Sequence, residues 1–129
     1  MTTQTPAAST KRPVTDLDGI VDGQTRQAVR RYIEAVRAEY PLEQAILFGS
    51  RARGTHRPDS DADVALVLKP PVEPAPSTAL HMADIAYDVL LETGLNISPL
   101  PVSKWQWDHP QEHPNPDLLE RIEAEGIRL

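Results

Sequence analysis

A small hydroxyl residue and two carboxylates lie at a spacing that could support chemistry on a phosphate. Gly49 and Ser50 are followed, after ten residues, by Asp61, Ala62 and Asp63. Residues i and i+2 of a β-strand point to the same face, roughly 6.5–7 Å apart, so two carboxylates placed in this way can hold divalent cations between them. A turn that carries Gly and Ser can direct backbone N–H groups and a hydroxyl at phosphate oxygens. Together these groups predict the transfer of a nucleotidyl group.

Two apolar runs supply the elements that must position these residues. Residues 45–48 end immediately before the turn, and residues 64–68 follow the second carboxylate. Both runs are short, apolar and bounded by turn residues, which is typical of buried strands. The turn therefore leaves the end of one strand, and the carboxylates open the next. An unpaired carboxylate within an apolar strand is costly, so we expect a cation or an arginine beside Asp63.

Three other interpretations of the motif compete with this one. An EF-hand loop that begins at Asp59 would need Gly at its sixth position and Glu at its twelfth, where the chain has Val64 and Pro70. A Walker loop would need Gly-Lys-Ser/Thr after the turn, and none follows Ser50. A plain polar turn before a strand would account for residues 59–61. It does not explain why Asp63 lies inside an apolar strand.

Composition predicts one acidic domain in a chain of 129 residues. Residues 1–15 are rich in Thr, Ala, Ser and Pro and are expected to form a disordered tail, followed by a single domain over residues 16–129. The net charge of -6 argues against direct binding of nucleic acid, although Arg51, Arg53 and Arg57 concentrate positive charge in the spacer. The chain contains no cysteine, which excludes disulfides and thiolate metal sites. It has no apolar leader and no run long enough to span a bilayer, so a cytoplasmic location without membrane contact is expected.

Apolar periodicity and turn residues predict alternating helices and strands. The order helix, strand, strand, helix, strand, helix indicates the α/β (α+β) class, a small mixed sheet packed by helices. Pro99 and Pro101 confine the third strand to an edge, and the second strand, apolar on both faces, is expected to be central. The predicted helices span residues 24–40, 78–93 and 116–126, with short helical pieces at 51–54 and after Ser103. The predicted strands span residues 44–48, 62–68 and 95–102.

Capping residues and apolar spacing refine the first two long helices. Asp22 is expected to cap the first helix, and Ser77 the second, which Gly94 ends. The buried stripe of the second helix is predicted to consist of Leu80, Ala83, Tyr87, Leu90 and Leu91.

Gly49 and Ser50 with Asp61 and Asp63 resemble the signature of the DNA polymerase β-type nucleotidyltransferase superfamily. The small size of the chain further resembles the minimal nucleotidyltransferases (MNT), which are commonly the antitoxins of HEPN–MNT toxin–antitoxin pairs. The resemblance implies the polymerase β-type nucleotidyltransferase fold and a magnesium-dependent enzyme that transfers AMP from ATP to a hydroxyl. In the antitoxin case that hydroxyl belongs to a tyrosine of the partner, a HEPN-family RNase toxin, with which the chain would form a hetero-oligomer.

The same resemblance assigns roles to individual residues. Asp61 and Asp63 would bind magnesium and, with Ser50, form the catalytic group. The residues that would bind the nucleotide triphosphate are Gly49, Ser50, Arg51 and Arg53.

The chain departs from the family's pattern at a third carboxylate. This acid usually lies on the strand after the long helix, where the chain has Ser98 or, failing that, Asn96. Loss of a general base typically costs about 10²–10⁴-fold in rate. Two carboxylates can still bind one magnesium ion, because this ion keeps several waters and takes phosphate oxygens as ligands.

Three functions are therefore open. One is a slow enzyme that modifies a tightly held partner, and a second is an impaired nucleotidyltransferase that neutralises its partner by binding alone. A small-molecule nucleotidyltransferase of the aminoglycoside-modifying kind ranks below both. Such enzymes usually carry an extra helical domain for the acceptor, for which this chain has no room.

Overall fold

Four strands form one mixed sheet in this computed structural model, which describes residues 21–72 and 74–129. They are β1 (Leu42–Phe48), β2 (Ala62–Leu68), β3 (Ile97–Ser103) and β4 (Ile127–Arg128), in the order β3-β2-β1-β4. Strand β1 is antiparallel to both β2 and β4, whereas β2 is parallel to β3. A mixed sheet packed by helices confirms the predicted fold class.

Helices cover both faces of the sheet. The helices are α1 (Gly23–Glu39), α2 (Ser50–Arg53), α3 (Pro76–Thr93), α4 (Lys104–Asp108) and α5 (Pro116–Glu125), with a 3-10 turn at Pro110–Glu112. Buried residues of α1 and α3 pack with Val64 and Leu66 of β2, and buried residues of α4 and α5 pack with Ala65 and Val67. Because side chains alternate along a strand, Asp63 belongs to the face that α4 and α5 cover.

Strand β2 is central, as predicted. Its bounds match the predicted range, and every residue except Asp63 is buried. Strand β3 lies at the edge of the sheet. Its two prolines, which have no N–H to donate, are tolerated there because no further strand pairs with the outer side of β3. The prediction missed β4, which pairs with β1 through Ile127 and Arg128. A two-residue strand is too short for alternation to reveal.

Capping residues define one end of each of the helices α1, α3 and α4. The Asp22 carboxylate accepts a hydrogen bond from the backbone N–H of Thr25 at 2.8 Å, which confirms the predicted N-cap of α1. Ser103 caps α4 with a complete capping box in which Gln106 is the reciprocal partner. Gly94 ends α3 in the left-handed conformation at φ 80°, also as predicted.

The predicted start and buried face of α3 are wrong. The helix begins at Pro76 with Ala75 as N-cap, so Ser77 does not cap it. Leu80, Tyr87 and Leu91 are 68%, 57% and 67% exposed. The residues that α3 buries instead are Met82, Ile85, Ala86 and Val89. Both sets have helical spacing, and contact with α1 and β3 decides which of the two faces inward.

The predicted tail over residues 1–15 lies outside the described residues. Among the helices of the described part, none is long and apolar enough to cross a membrane.

Candidate active site

The turn between β1 and α2 brings Gly49 directly against Asp63. Phe48 at the end of β1 pairs with Asp63 of β2 across the antiparallel ladder. Gly49 has φ 78°, a backbone conformation that side-chain-bearing residues rarely adopt. A Cβ at this position would lie 2.4 Å from Oδ2 of Asp63. Glycine is therefore required twice, once by the turn and once by the carboxylate.

The charged side chains of Asp61 and Arg53 act electrostatically on Asp63 beside this turn. Asp63 is half-buried in β2, whereas Asp61 and Arg53 are exposed. Burial raises the pKa of Asp63, the neighbouring Asp61 carboxylate raises that pKa further, and Arg53 opposes both effects. Arg53 and Asp63 also line the same cavity. This arrangement identifies Arg53 as the arginine expected beside Asp63.

Ser50 opens helix α2 immediately after the glycine. Its carbonyl accepts the backbone N–H of Thr55 at 3.0 Å, and the carbonyl of Gly49 accepts the N–H of Ala52 at 3.1 Å. These bonds fix the turn at the end of β1. Ser50 consequently lies next to the Gly49–Asp63 contact, where the motif requires it.

The position of the third carboxylate is occupied by Ser98. In the parallel register of β2 and β3, Asp63 pairs with Ser98, and Ala62 pairs with Ile97. Asn96 precedes the strand and uses its carbonyl to accept the N–H of Ala62 at 3.0 Å. The structure thus selects Ser98, rather than Asn96, as the residue beside Asp63.

The prediction that Arg51 neutralises phosphate charge is corrected by its position. Arg51 is 1% exposed, and its guanidinium is fully engaged within the protein. It donates to Oγ1 of Thr25 at 2.7 Å, to the carbonyl of Ser60 at 2.8 Å and to the carbonyl of Pro58 at 3.0 Å. Its hydrogen bonds therefore connect the loop before β2 with the start of α1. The sequence could not separate it from Arg53, since both lie in one short basic segment.

A cavity of about 220 Å³ opens in front of Asp63, and α5 forms its far wall. One side is lined by Phe48, Gly49, Ala52, Arg53 and Asp63, and the other by Leu118, Arg121, Ile122 and Glu125. The α5 residues follow helical spacing, which is a signal that could have identified them as one face. Their proximity to the motif was missed, because it depends on the return of the chain end to the sheet.

A larger cavity of about 700 Å³ lies elsewhere, between α1 and the end of the chain. Its lining includes Val29, Ile33, Arg37 and Leu129. None of its lining residues belongs to the motif or lines the cavity beside Asp63, so this larger cavity is separate from the site around Asp63.

The donor set suits a hard divalent cation that retains water. Within the described residues, no group of three or more His, Cys, Asp or Glu side chains could hold a metal ion. Asp61 and Asp63 supply two carboxylates whose mutual repulsion a cation would relieve. Magnesium commonly binds through one or two carboxylates together with phosphate oxygens, so the residues present fit it.

A family model described as a nucleotidyltransferase domain matches residues 29–126, most of the chain. The chain belongs to this nucleotidyltransferase family. The matched range contains the turn, both carboxylates, Ser98 and the whole of α5, so the cavity lies within the family domain. Nucleotidyl transfer is the general chemistry of the family, whose members typically use a divalent metal and a nucleoside triphosphate.

Among curated proteins, no relative matches this nucleotidyltransferase. A solved structure from Sulfolobus solfataricus, provisionally assigned as a nucleotidyltransferase, is similar in fold at 21% sequence identity. The alignment covers 85% of this chain and 88% of that chain, with a TM-score of 0.49.

Proposed function

We propose that this nucleotidyltransferase is an antitoxin that transfers AMP from ATP to a tyrosine hydroxyl of a HEPN-family toxin, with magnesium as cofactor. The observation that supports the transfer is the contact of the Gly49 turn with Asp63, beside Asp61 and Arg53, at the mouth of a cavity. The toxin and the tyrosine are proposed from the resemblance of the Gly-Ser and Asp-x-Asp motifs to minimal nucleotidyltransferases.

Each group of the site has a part in the proposed reaction. Asp61 and Asp63 would hold magnesium, which when bound neutralises charge on the triphosphate. The turn at Gly49 and Ser50 orients the phosphates by its backbone N–H groups and hydroxyl. The tyrosine oxygen forms a bond to the α-phosphorus of ATP, the bond from that phosphorus to the β-phosphate oxygen breaks, and pyrophosphate leaves while the hydroxyl proton passes to water. Arg53 opposes the negative charge that develops on these phosphates.

Residues on both sides of the cavity suit the remainder of the nucleotide. Phe48, Leu118 and Ile122 give an apolar surface on which a base can lie, and Arg121 offers a second positive charge across from Arg53. In this arrangement Arg121 takes over the phosphate contact first expected of Arg51. Glu125 is a carboxylate on the same wall, and it can accept a hydrogen bond from a sugar or an acceptor hydroxyl.

A second candidate function is neutralisation by binding alone. The specific observation that favours it is Ser98 beside Asp63, where the family usually has an acid. A hydroxyl cannot take the acceptor's proton as a carboxylate does, which would slow the transfer by about 10²–10⁴-fold. The two functions differ in one property, namely whether protection of the cell requires the carboxylates.

Intact mass measurement of the partner tests the leading proposal. A HEPN-family protein encoded beside this chain, the partner that the proposal requires, is incubated with the nucleotidyltransferase, ATP and magnesium, and we expect its mass to rise in units of AMP. Asp61→Asn with Asp63→Asn should abolish the gain, whereas Asp59→Asn, an exposed carboxylate of the same loop, should retain it. An unmodified partner that is nonetheless inhibited, equally by the wild-type chain and by the double variant, would establish binding alone.

A further inference from the structure

Helix α3 presents a second apolar face to solvent. Leu80, Tyr87 and Leu91, here called the outer stripe, are each more than half exposed. Their spacing of seven and four residues places them on one side of the helix, opposite the buried side that includes Met82 and Val89. Among the described residues, the outer stripe accounts for three of the four exposed large hydrophobic side chains.

An exposed stripe of this kind indicates a contact surface. A surface helix normally carries one apolar face, and a helix that is apolar on opposite faces is usually covered on both. Scattered exposed hydrophobic residues need no explanation, but residues that line up along one helix form a contiguous patch, which marks an interaction site. Trp105, the fourth exposed hydrophobic residue, lies on α4 and hence beyond the opposite face of the sheet.

The charges that border the outer stripe restrict its occupant. Asp84 and Asp88 are exposed along one edge of it. Beyond them, Glu92 already pairs with Arg31 at 2.9 Å. Arg31 also interacts electrostatically with Asp88, so the three carboxylates Asp84, Asp88 and Glu92 face one arginine and net negative charge remains beside the stripe. A complementary surface would carry Lys or Arg along that edge.

These charges disfavour two other occupants. An antiparallel pairing of two copies would bring the rows of Asp84 and Asp88 side by side, in a chain whose net charge is already -6. A membrane surface is disfavoured as well, since helices that lie on lipid carry Lys and Arg on their polar face. A protein segment with an apolar face and a basic border fits best.

The outer stripe leads toward the active site. Leu91 lies in the last turn of α3, which Gly94 ends. Residues 94–96 connect the helix to Ile97, the first residue of β3. Ile97 pairs with Ala62, which lies between Asp61 and Asp63 in the sequence. Asp63 faces the side of the sheet that α4 and α5 cover, whereas α3 packs on the other side. A partner seated along α3 would therefore pass around this end of the sheet to bring its acceptor hydroxyl to Asp61 and Asp63.

We infer that the outer stripe is the docking surface for the partner protein, which contacts it through an apolar segment bordered by Lys or Arg. The inference rests on the proposed function, because the partner is the toxin that receives AMP. Docking here holds the partner's acceptor hydroxyl at the carboxylates for many encounters. A bound acceptor of this kind suits a site that has lost one acid.

The experiment measures binding and transfer separately. The affinity of the full-length chain for the adjacent HEPN protein is determined by calorimetry, with thermal melting by circular dichroism as the check on folding. We expect Leu80→Glu with Leu91→Glu to weaken binding at least about 10-fold at unchanged melting temperature, since buried apolar anchors dominate interfaces. Asp84→Lys with Asp88→Lys should also weaken it. Trp105→Glu, the matched exposed control, should bind as the wild type does.

The outcomes distinguish docking from transfer. A wild-type chain that binds the HEPN protein through the outer stripe but adds no AMP would sustain the docking surface and refute the transfer. Equal affinities of the wild type and the Leu80→Glu/Leu91→Glu variant, an equal loss with Trp105→Glu, or no binding by the wild type would overturn the docking surface. So would a dimer of the isolated chain, seen by sedimentation, that the same double variant dissociates.

Discussion

At the residue scale, the contact of Gly49 with Asp63 is the most constrained point of the site. Replacing Gly49 with alanine places a Cβ 2.4 Å from Oδ2 of Asp63, at a φ of 78°. We expect the free energy of unfolding to fall by about 1–3 kcal/mol because of the strained backbone. Nucleotidyl transfer should fall by about 10²-fold or more, since the carboxylate must move. Denaturant titration and the partner-mass assay measure the two effects.

Gly23 provides the matched control for this substitution. A Cβ there would meet its nearest neighbour, Nη2 of Arg26, at 3.9 Å, and the residue lies at the start of α1. Gly23→Ala should leave activity unchanged and stability unchanged or slightly higher, because alanine loses less backbone entropy than glycine. If Gly49→Ala were as mild as Gly23→Ala, the turn would not be held against Asp63.

The two arginines of the Gly-Ser segment should separate stability from activity. Arg51→Met removes a buried guanidinium from three strong hydrogen bonds, and we expect it to cost about 3 kcal/mol or more in the free energy of unfolding. Arg53→Met removes an exposed side chain and should change the free energy of unfolding by no more than about 0.5 kcal/mol. Only Arg53→Met should lower the transfer rate of fully folded protein. If Arg51→Met lowered the transfer rate without loss of stability, and Arg53→Met lowered stability instead, Arg51 would belong to the site and the structure would be contradicted.

The composition of the spacer explains why sequence reasoning grouped Arg51 with Arg53. Both residues are basic, both follow the Gly-Ser turn, and no local pattern states which of them points inward. The decision comes from Thr25 and the loop carbonyls, which are contacts across the fold. The position of Asp63 within β2 was predictable, in contrast, because the apolar run that follows it defines the strand; Asp61 lies just before that strand.

At the scale of elements, the start of α1 should respond to acid. The hydrogen bond from Thr25 lowers the pKa of Asp22 from 3.8 to about 2, with His56 contributing to the same effect. A carboxyl group whose pKa is lowered by folding stabilises the folded state above its ordinary pKa. That contribution is lost as the pH falls from about 4 toward about 2.

Two substitutions isolate the contribution of Asp22. Asp22→Ala should lower the free energy of unfolding by about 1 kcal/mol at neutral pH, the usual cost of a lost N-cap. The difference between wild type and Asp22→Ala should shrink between about pH 4 and 2, as measured by urea titration at each pH. Asp22→Asn retains a capping oxygen without a titrating group, so its difference from Asp22→Ala should stay constant. A wild-type difference that does not shrink in acid would refute the role of the ionised cap.

Elements differed in how far the sequence could define them. Strand β2 was predicted in range and position because apolar residues fill both of its faces, which only a central strand buries. Helix α3 was predicted to within two residues of its start, but with the wrong face buried, because it carries two apolar stripes and only one can face the sheet. The stripe with the larger side chains turned out to be the exposed one, so hydrophobicity alone selected the wrong face.

At the scale of the whole molecule, the cavity depends on the return of the chain end. Ile127 and Arg128 pair with Leu47 and Ile46 of β1. This pairing places the preceding helix α5 along the cavity that Gly49 and Asp63 line. That pairing brings Arg121 and Glu125 opposite Asp63, more than fifty residues away in sequence. A contact of this kind follows from tertiary packing, so the near wall of the site could be predicted and the far wall could not.

Calorimetric titration with a nonhydrolysable ATP analogue tests the central claim, that the paired carboxylates and the glycine turn form a metal-dependent triphosphate site. The wild-type chain and Asp59→Asn should bind the analogue in the presence of magnesium and bind it much more weakly in EDTA. Asp61→Asn with Asp63→Asn should lose the dependence on magnesium. Binding of equal affinity by the wild type and the double variant, or with and without magnesium, would contradict the account.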